Sequence, residues 1–347
     1  MTHLTSGAAI DTRSEKEKAK DWKFSEVVAS AATVNWQEKP SAQWRKFQIY
    51  EQNGSGSCVA QTEAKEMGIM RFLKDGIYVH FSATDIYSRR ANKPAGGMGA
   101  VDARSIVAKG GATLEALTPS QSMTDQQMDT AVVEAYKRSV GEVFKVSNYL
   151  ELPTKDIETV ASVIQQTGKG VMVWFYFKND EWTERPAVKY QDLSLPADTT
   201  TRHSVTAIDF TLVNGKKCLI IEDSWGPNAG MGGQRIIDED FFKARNWYAS
   251  YLLNFKFDQL QPIKPQHFFA VDLEFGQTND EVKALQDCLR YEGTFPSNAQ
   301  SSGYFGSVTK KAVEGFQTKY GIAQAGGVGF GRVGPRTRER LNILFGS

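Results

Sequence analysis

The sequence has few cysteines: three in 347 residues, namely Cys58, Cys218 and Cys288. They lie far apart, and none has a second Cys or a His at the spacing of a zinc-binding motif. A disulfide framework is therefore not expected, and we predict neither a metal site nor a cofactor. Histidine is also scarce, with four residues, so few side chains are candidates for a general base.

The chain also lacks an excess of charge of one sign. Lysine and arginine total 41 and aspartate and glutamate total 40, a net charge of +1 at pH 7. This balance gives no electrostatic reason to expect a nucleic acid or a membrane surface as a partner. No apolar run is long enough to span a bilayer, and residues 1–7 lack the apolar core of a signal peptide. We therefore expect no nucleic-acid partner, no membrane span and no export by the signal-peptide route.

One cysteine does stand in a favourable place for chemistry. Cys58 directly follows a Gly/Ser loop and precedes a predicted helix over 59–67. The first turn of a helix has unpaired backbone N–H groups, and the helix dipole favours an anion there. Both effects favour the thiolate, which is the nucleophilic form of cysteine. Gln52, six residues upstream, offers a side-chain amide that can donate to an oxyanion.

The segment from Gln52 to Cys58 resembles the active-site segment of papain-like cysteine peptidases, in which a Gln precedes Gly-Ser-Cys by the same interval. Residues 32–36 resemble the start of that domain. The resemblance implies an α+β fold of two subdomains, the first rich in helices and the second rich in strands, with the active cleft between them. Helices are predicted at 100–109 and 156–167, and strands at 170–177, 205–212 and 217–222.

The best candidate for the base is His203, which lies 145 residues after Cys58 at the start of an alternating strand. Papain-like enzymes show a gap of about 130–150 residues. The later run Asp223-Ser224-Trp225-Gly226 resembles the Asn-Ser-Trp-Gly motif of the family. The resemblance implies that Asp223, in place of the usual Asn, orients the imidazole and that Trp225 shields their hydrogen bond. We predict that Asp223 accepts from Nδ1 of His203.

Two further glycines resemble a substrate-binding element of the family. Gly96 and Gly97 stand where a Gly-Gly pair binds the substrate main chain, and glycine permits close backbone approach. A plain surface turn is the alternative. Cys218 is expected to be buried in a strand and inert.

The C-terminal part, from about residue 268, resembles the small three-helix peptidoglycan-binding domain of cell-wall hydrolases. Val282, Leu285 and Leu289 fall on one helical face and are predicted core residues. Ser307 is the predicted N-cap of the next helix. The resemblance implies peptidoglycan as the partner, although such a module can also act as a general docking domain.

These observations predict four segments. Residues 1–31 form a polar extension, interpreted as a solvated arm with a short pro-segment as the alternative. Residues 32–260 form the papain-like domain, 261–270 a linker, and 271–347 an all-α domain.

The predicted function is hydrolysis of amide bonds, in a protein or in peptidoglycan cross-links, by an enzyme held at the bacterial cell wall. This favours a cell envelope, an extracellular site or a phage virion over the cytoplasm. A non-catalytic attachment protein that reuses the scaffold, or a transferase that passes the acyl group to an amine, are the alternatives.

Overall fold

The computed structural model describes residues 7–21, 23–24, 31–178, 181–182, 201–256, 264–296, 299 and 301–346. Part of the predicted N-terminal extension and the first residues of the predicted linker lie outside these residues. The described residues divide into two compact units. One contains residues up to Asp21 together with Ala31–Asn254, and the other contains residues within 22–30 and Phe255–Ser347.

The first half of the first unit is helical, as predicted. Its helices are α1 (Glu15–Lys18), α2 (Cys58–Asp75), α3 (Ala83–Tyr87), α4 (Ala100–Gly110), α5 (Asp125–Thr130) and α6 (Ala135–Val143). The helix predicted at 100–109 is confirmed as α4.

Helix α2 is the central element of this half. All its residues from Cys58 to Met70 are buried. It ends at Gly76, which adopts a left-handed conformation (φ 76°) that glycine tolerates without steric cost. Because the N-terminal three-quarters of α2 lies inside the unit, its first residue is held in a fixed position.

Buried charges tie α2 to its neighbours. Arg104 of α4 donates to Glu63 at 2.7 Å and to Glu66 at 2.5 Å, and also to the hydroxyl of Ser250 at 2.8 Å. Burial raises the pKa of Glu66 to about 8 despite the opposing charge of Arg104. These three ionisable side chains are almost fully buried, so each depends on the others for compensation.

The second half of this unit is built on an antiparallel six-stranded sheet with the order β1-β6-β2-β3-β4-β5. The strands are β1 (Tyr149–Glu151), β2 (Val171–Phe177), β3 (Thr201–Val213), β4 (Lys216–Glu222), β5 (Gln234–Asp238) and β6 (Asn246–Leu252). Two helices accompany it, α7 (Ile157–Thr167) and α8 (Glu239–Arg245). The predicted α+β class, with helices first and strands second, is confirmed.

The second unit contains α9 (Asp280–Tyr291), α10 (Ser307–Lys319) and α11 (Pro335–Phe345). Val282, Leu285 and Leu289 belong to its buried core, as their spacing predicted. The prediction that Ser307 is an N-cap is wrong: the cap is Gly306, and Ser307 is the first helical residue. The reason is that the helix begins one residue earlier than the sequence suggested.

None of the helices described here combines the length and the apolar character that crossing a bilayer requires. Cys58, Cys218 and Cys288 are free and buried.

Candidate active site

A tight turn places Cys58 at the start of α2. Asn53 and Gly54 both have positive φ angles, 48° and 72°, which reverse the chain just before the helix. The hydroxyl of Ser55 donates to the carbonyl of Gln52 at 2.6 Å and lies 2.7 Å from the hydroxyl of Ser57. These hydrogen bonds stabilise the loop between Gln52 and Cys58.

The side chain of Gln52 is held from both ends. Its Oε1 accepts from the hydroxyl of Ser224 at 2.6 Å, and its Nε2 donates to the carbonyl of Ser55 at 2.5 Å. The backbone N–H of Gln52 also donates to the carbonyl of Ser224 at 2.8 Å. One N–H of the amide is thus used, which leaves the second as a donor beside the start of α2.

His203 and Asp223 meet at one end of the sheet. His203 lies near the start of β3 and Asp223 follows the last residue of β4, and these strands are antiparallel neighbours. The His203 Nε2 atom is 2.7 Å from Oδ1 of Asp223, and both side chains are buried. The prediction that Asp223 bonds Nδ1 is therefore wrong: the ring presents Nε2 to the acid.

The other ring nitrogen is left for the thiol. In the described part of the chain, Nδ1 of His203 has no nitrogen or oxygen hydrogen-bond partner. Cys58 interacts with the ring closely enough to favour its protonated form. The ring thus lies between Cys58 and Asp223, the order that proton transfer requires.

Asp223 accepts more hydrogen bonds than the one from His203. Its Oδ1 accepts from the backbone N–H of Ser224 at 2.8 Å. Its Oδ2 accepts from Nε1 of Trp182 at 2.8 Å and from Nε of Arg235 at 2.8 Å. The carboxylate is thereby satisfied on both oxygens and held in one orientation.

These contacts set the protonation states. Burial would raise the pKa of Asp223, but the charges and hydrogen bonds of His203 and Arg235 outweigh it and hold this pKa well below its usual value. Burial would lower the pKa of His203, but Asp223 and then Cys58 outweigh it and raise this pKa to about 9. The buried imidazole is therefore positively charged at neutral pH.

Trp225 covers this pair. Its ring stacks on His203 with the centroids 4.8 Å apart and an interplanar angle of 27°. An antiparallel bridge between Glu51 and Trp225 joins its loop to the loop before Cys58. The two segments that carry the predicted residues are therefore connected directly.

The N-terminal segment lies over the nucleophile. The N–H of Gly7 donates to the carbonyl of Arg202 at 3.2 Å, and its carbonyl accepts from the N–H of Met98 at 2.8 Å. The N–H of Ala9 donates to the carbonyl of Met98 at 3.0 Å, which completes a parallel bridge. A peptide main chain thus occupies the groove beside Cys58.

Gly96 and Gly97, the predicted pair, lie in different environments. Gly97 is buried and so close to the segment that a Cβ on it would lie 2.8 Å from the carbonyl oxygen of Gly7. Gly96 is exposed. The residue that exchanges main-chain hydrogen bonds with the segment is Met98, one position after the pair.

The other cysteines and histidines that the structure describes lie away from this site. Burial raises the pKa of both Cys218 and Cys288 to about 12, so neither is an available thiolate. Burial also lowers the pKa of His80 to about 4. His267 pairs with Glu281 in the second unit at 2.9 Å.

Sequence reasoning missed Trp182, Arg235 and Met98. Arg235 had one usable signal, since a carboxylate at a position that is usually Asn requires a nearby cation when buried. Met98 contributes only backbone atoms, so its side chain carries no signal of this role. Trp182 follows β2 by five residues, and no motif marks it.

Residues 31–242 match the family model described as papain family cysteine protease. Residues 278–341 match a model described as a peptidoglycan binding domain. No curated protein shows a significant match to the chain.

The solved structures that are similar to the chain include the following two. Xylellain, a cysteine protease from Xylella fastidiosa, is 16% identical, with 74% of this chain and 98% of that chain covered and a TM-score of 0.56. Digestive procathepsin L 3 of the Tenebrio molitor larval midgut is 17% identical, with 72% and 83% covered and a TM-score of 0.51. At these identities the likeness shows a shared fold.

Proposed function

Because the chain belongs to the papain family of cysteine proteases, we propose that Cys58 and His203 are the nucleophile and the general acid–base of its hydrolysis of peptide bonds. The observation that supports this proposal is the buried arrangement of Cys58, at the start of α2, with His203 of β3 and Asp223 after β4. Asp223 bonds Nε2 of the ring at 2.7 Å, Nδ1 has no hydrogen-bond partner among the described residues, and Cys58 interacts with the ring so as to favour its protonated form. The protonated ring stabilises a thiolate at neutral pH.

The reaction proceeds in two halves. The Cys58 thiolate attacks the carbonyl carbon of the scissile amide, and the oxyanion accepts from the N–H of Cys58 and from Nε2 of Gln52. His203 gives its proton to the leaving amine, and the carbon–nitrogen bond breaks to leave a thioester. His203 then takes a proton from water, whose oxygen attacks the thioester carbon, and the acid product leaves Cys58 as the thiolate.

The groove beside Cys58 fits an extended peptide. The carbonyl of Arg202 and both main-chain groups of Met98 bind the backbone of Gly7–Ala9. Backbone hydrogen bonds of this kind recognise any peptide main chain, and we assign the same groups, with Gly97, to substrate binding. Trp225, stacked on His203, excludes water from the hydrogen bond between His203 and Asp223.

The C-terminal domain supplies the second part of the proposal. Since residues 278–341 match a peptidoglycan binding domain, we assign cell-wall binding to this region. A binding domain joined to an enzyme raises the enzyme's concentration near the surface without changing its active site. The substrate is then an amide bond in wall-associated protein or in peptidoglycan peptides.

Two variants test the catalytic assignment and the wall-binding assignment separately. We expect Cys58→Ala to remove hydrolysis of peptide and wall-fragment substrates and to leave sedimentation with purified bacterial cell walls unchanged. A chain ending at residue 256 should lose sedimentation instead. Residual hydrolysis by Cys58→Ala would contradict the assigned nucleophile. Wall binding without any hydrolysis, both by the unaltered chain and by a Gly7→Val chain in which the segment over Cys58 is released, would favour a non-catalytic attachment protein.

A further inference from the structure

The acid in this site creates a charge imbalance that an asparagine would not. In the proposed cycle a Cys58 thiolate and a His203 imidazolium form a neutral pair. Asp223 adds a negative charge next to this pair and is only 1% exposed. An uncompensated charge at such a position destabilises the folded protein or forces a change of protonation.

Arg235 supplies the missing positive charge. It lies on β5 opposite Ile221 of β4, two residues before Asp223, and is itself 3% exposed. Its Nε donates to Oδ2 of Asp223 at 2.8 Å, on the side of the carboxylate away from His203. In the proposed cycle the charges therefore alternate in sign from Cys58 through His203 and Asp223 to Arg235.

We infer that Arg235 is the positioning residue that makes an aspartate usable in this site, because it neutralises Asp223 and leaves the thiolate and imidazolium balanced. This inference rests on the proposed function. Arg235 does not touch the reacting atoms and acts only through Asp223. Removing its charge should therefore change the protonation of the Cys58–His203 pair.

Trp182 fixes the geometry of this contact. Its Nε1 donates to the same Oδ2 that Arg235 binds, and its carbonyl accepts from Nη1 of Arg235. The guanidinium is thus held by two groups in a fixed orientation. The charge of Arg235 is therefore held next to one carboxylate oxygen, Oδ2 of Asp223.

Other charged groups near the cluster are compensated or lie apart from Arg235. Glu222 and Lys65 pair with each other at 2.8 Å. Asp125 of α5 accepts from the N–H of Gly56 at 3.0 Å, in the loop before Cys58. Arg202 neighbours His203 on β3, and alternation along a strand directs its side chain to the opposite face. Among the described residues, Arg235 is the cation that contacts Asp223 directly besides His203.

The experiment measures carboxymethylation of Cys58 by iodoacetate from pH 5 to 10, with mass mapping of the product. The reaction requires the Cys58 thiolate, so its rate rises with pH as the thiol loses its proton. We call this rise the acid limb of the profile. The reaction is also favoured by the His203 imidazolium, which attracts the carboxylate of iodoacetate. The rate therefore falls when the ring loses its proton at higher pH, and we call this fall the alkaline limb. The full-length variants are Arg235→Gln, Asp223→Asn, the double variant and Arg235→Lys. Lys109→Gln, at an exposed residue of α4, makes the same change in net charge as a control.

The single variants should shift the profile in opposite directions. Arg235→Gln leaves an uncompensated negative charge, so the thiolate forms at higher pH and the imidazolium persists to higher pH. Both limbs should move to higher pH by about one to two units. At a fixed pH on either limb, this shift equals about a tenfold to hundredfold change in rate. Asp223→Asn leaves Arg235 unpaired and should lower both limbs.

The double variant decides the claim. Since it removes one charge of each sign, its limbs should return close to those of the unaltered chain, as should those of Arg235→Lys and Lys109→Gln. Unshifted limbs in Arg235→Gln, or a double variant no closer to the original than Asp223→Asn, would overturn the inference. If Arg235→Gln does not fold, the double variant and Arg235→Lys still give the answer. Absence of reaction at Cys58 even in a chain carrying Gly7→Val, which removes the segment that lies against Sγ, would instead contradict the proposed function.

Discussion

Gly7 lies directly against Cys58: a Cβ atom on Gly7 would be 2.5 Å from Sγ of Cys58 and 2.4 Å from the carbonyl oxygen of Gly56. Only a residue without a side chain fits there. Three main-chain hydrogen bonds hold Gly7 and Ala9 in the groove that we assign to substrate. A substrate and this segment therefore exclude each other.

We expect Gly7→Val to release the segment, because the added carbon atoms cannot fit beside Sγ. Three main-chain hydrogen bonds contribute about 0.5–1.5 kcal/mol each. The rate of Cys58 labelling by a small thiol reagent should therefore rise about tenfold to thousandfold. Thr12→Val, at an exposed residue of the same segment, should react at the original rate. Equal rates in Gly7→Val and the unaltered chain would show that the segment does not restrict access.

The charge on His203 should be visible in its titration. Its pKa is raised from 6.5 to about 9, so its contribution to stability is complete below about pH 6.5 and is lost as the pH rises through 9. An NMR titration should find the ring protonated at pH 8. In Asp223→Asn the ring should titrate at lower pH, since the carboxylate is the main stabilising neighbour. A ring already neutral at pH 7 in the unaltered chain would refute this assignment.

The buried charges around Arg104 should matter for stability. Arg104→Met leaves Glu63 and Glu66 without their shared cation, so we expect the free energy of unfolding to fall by about 3–5 kcal/mol. Urea denaturation followed by circular dichroism measures this loss. Lys109→Met on the same helix should change it by less than about 0.5 kcal/mol. A loss below about 1 kcal/mol for Arg104→Met would mean that the two acids are neutral without it.

The sequence was sufficient for the fold class and for the candidates Cys58, His203 and Asp223, because each stands in a local motif with its own signal. Motifs do not specify which ring nitrogen meets the acid, and the choice of Nε2 depends on how β3 and β4 place the ring. Arg235 reaches Asp223 only through the pairing of β4 with β5.

The N-terminal segment was the least predictable part. The sequence suggested a solvated arm, since residues 13–20 are strongly charged. The contact with Cys58 is made by Gly7, which has no side chain and so adds nothing to a periodic pattern. Their position depends on backbone groups of Met98 and Arg202, which are distant in sequence.

The central claim is that His203 activates Cys58. The most direct measurement is covalent labelling by a peptidyl epoxide near pH 7, with mass mapping, in the unaltered chain, in Gly7→Val and in each combined with His203→Ala. We predict labelling at Cys58 that is faster in Gly7→Val and is lost with His203→Ala. Labelling that persists without His203, or equal labelling of Cys58, Cys218 and Cys288, would contradict the account.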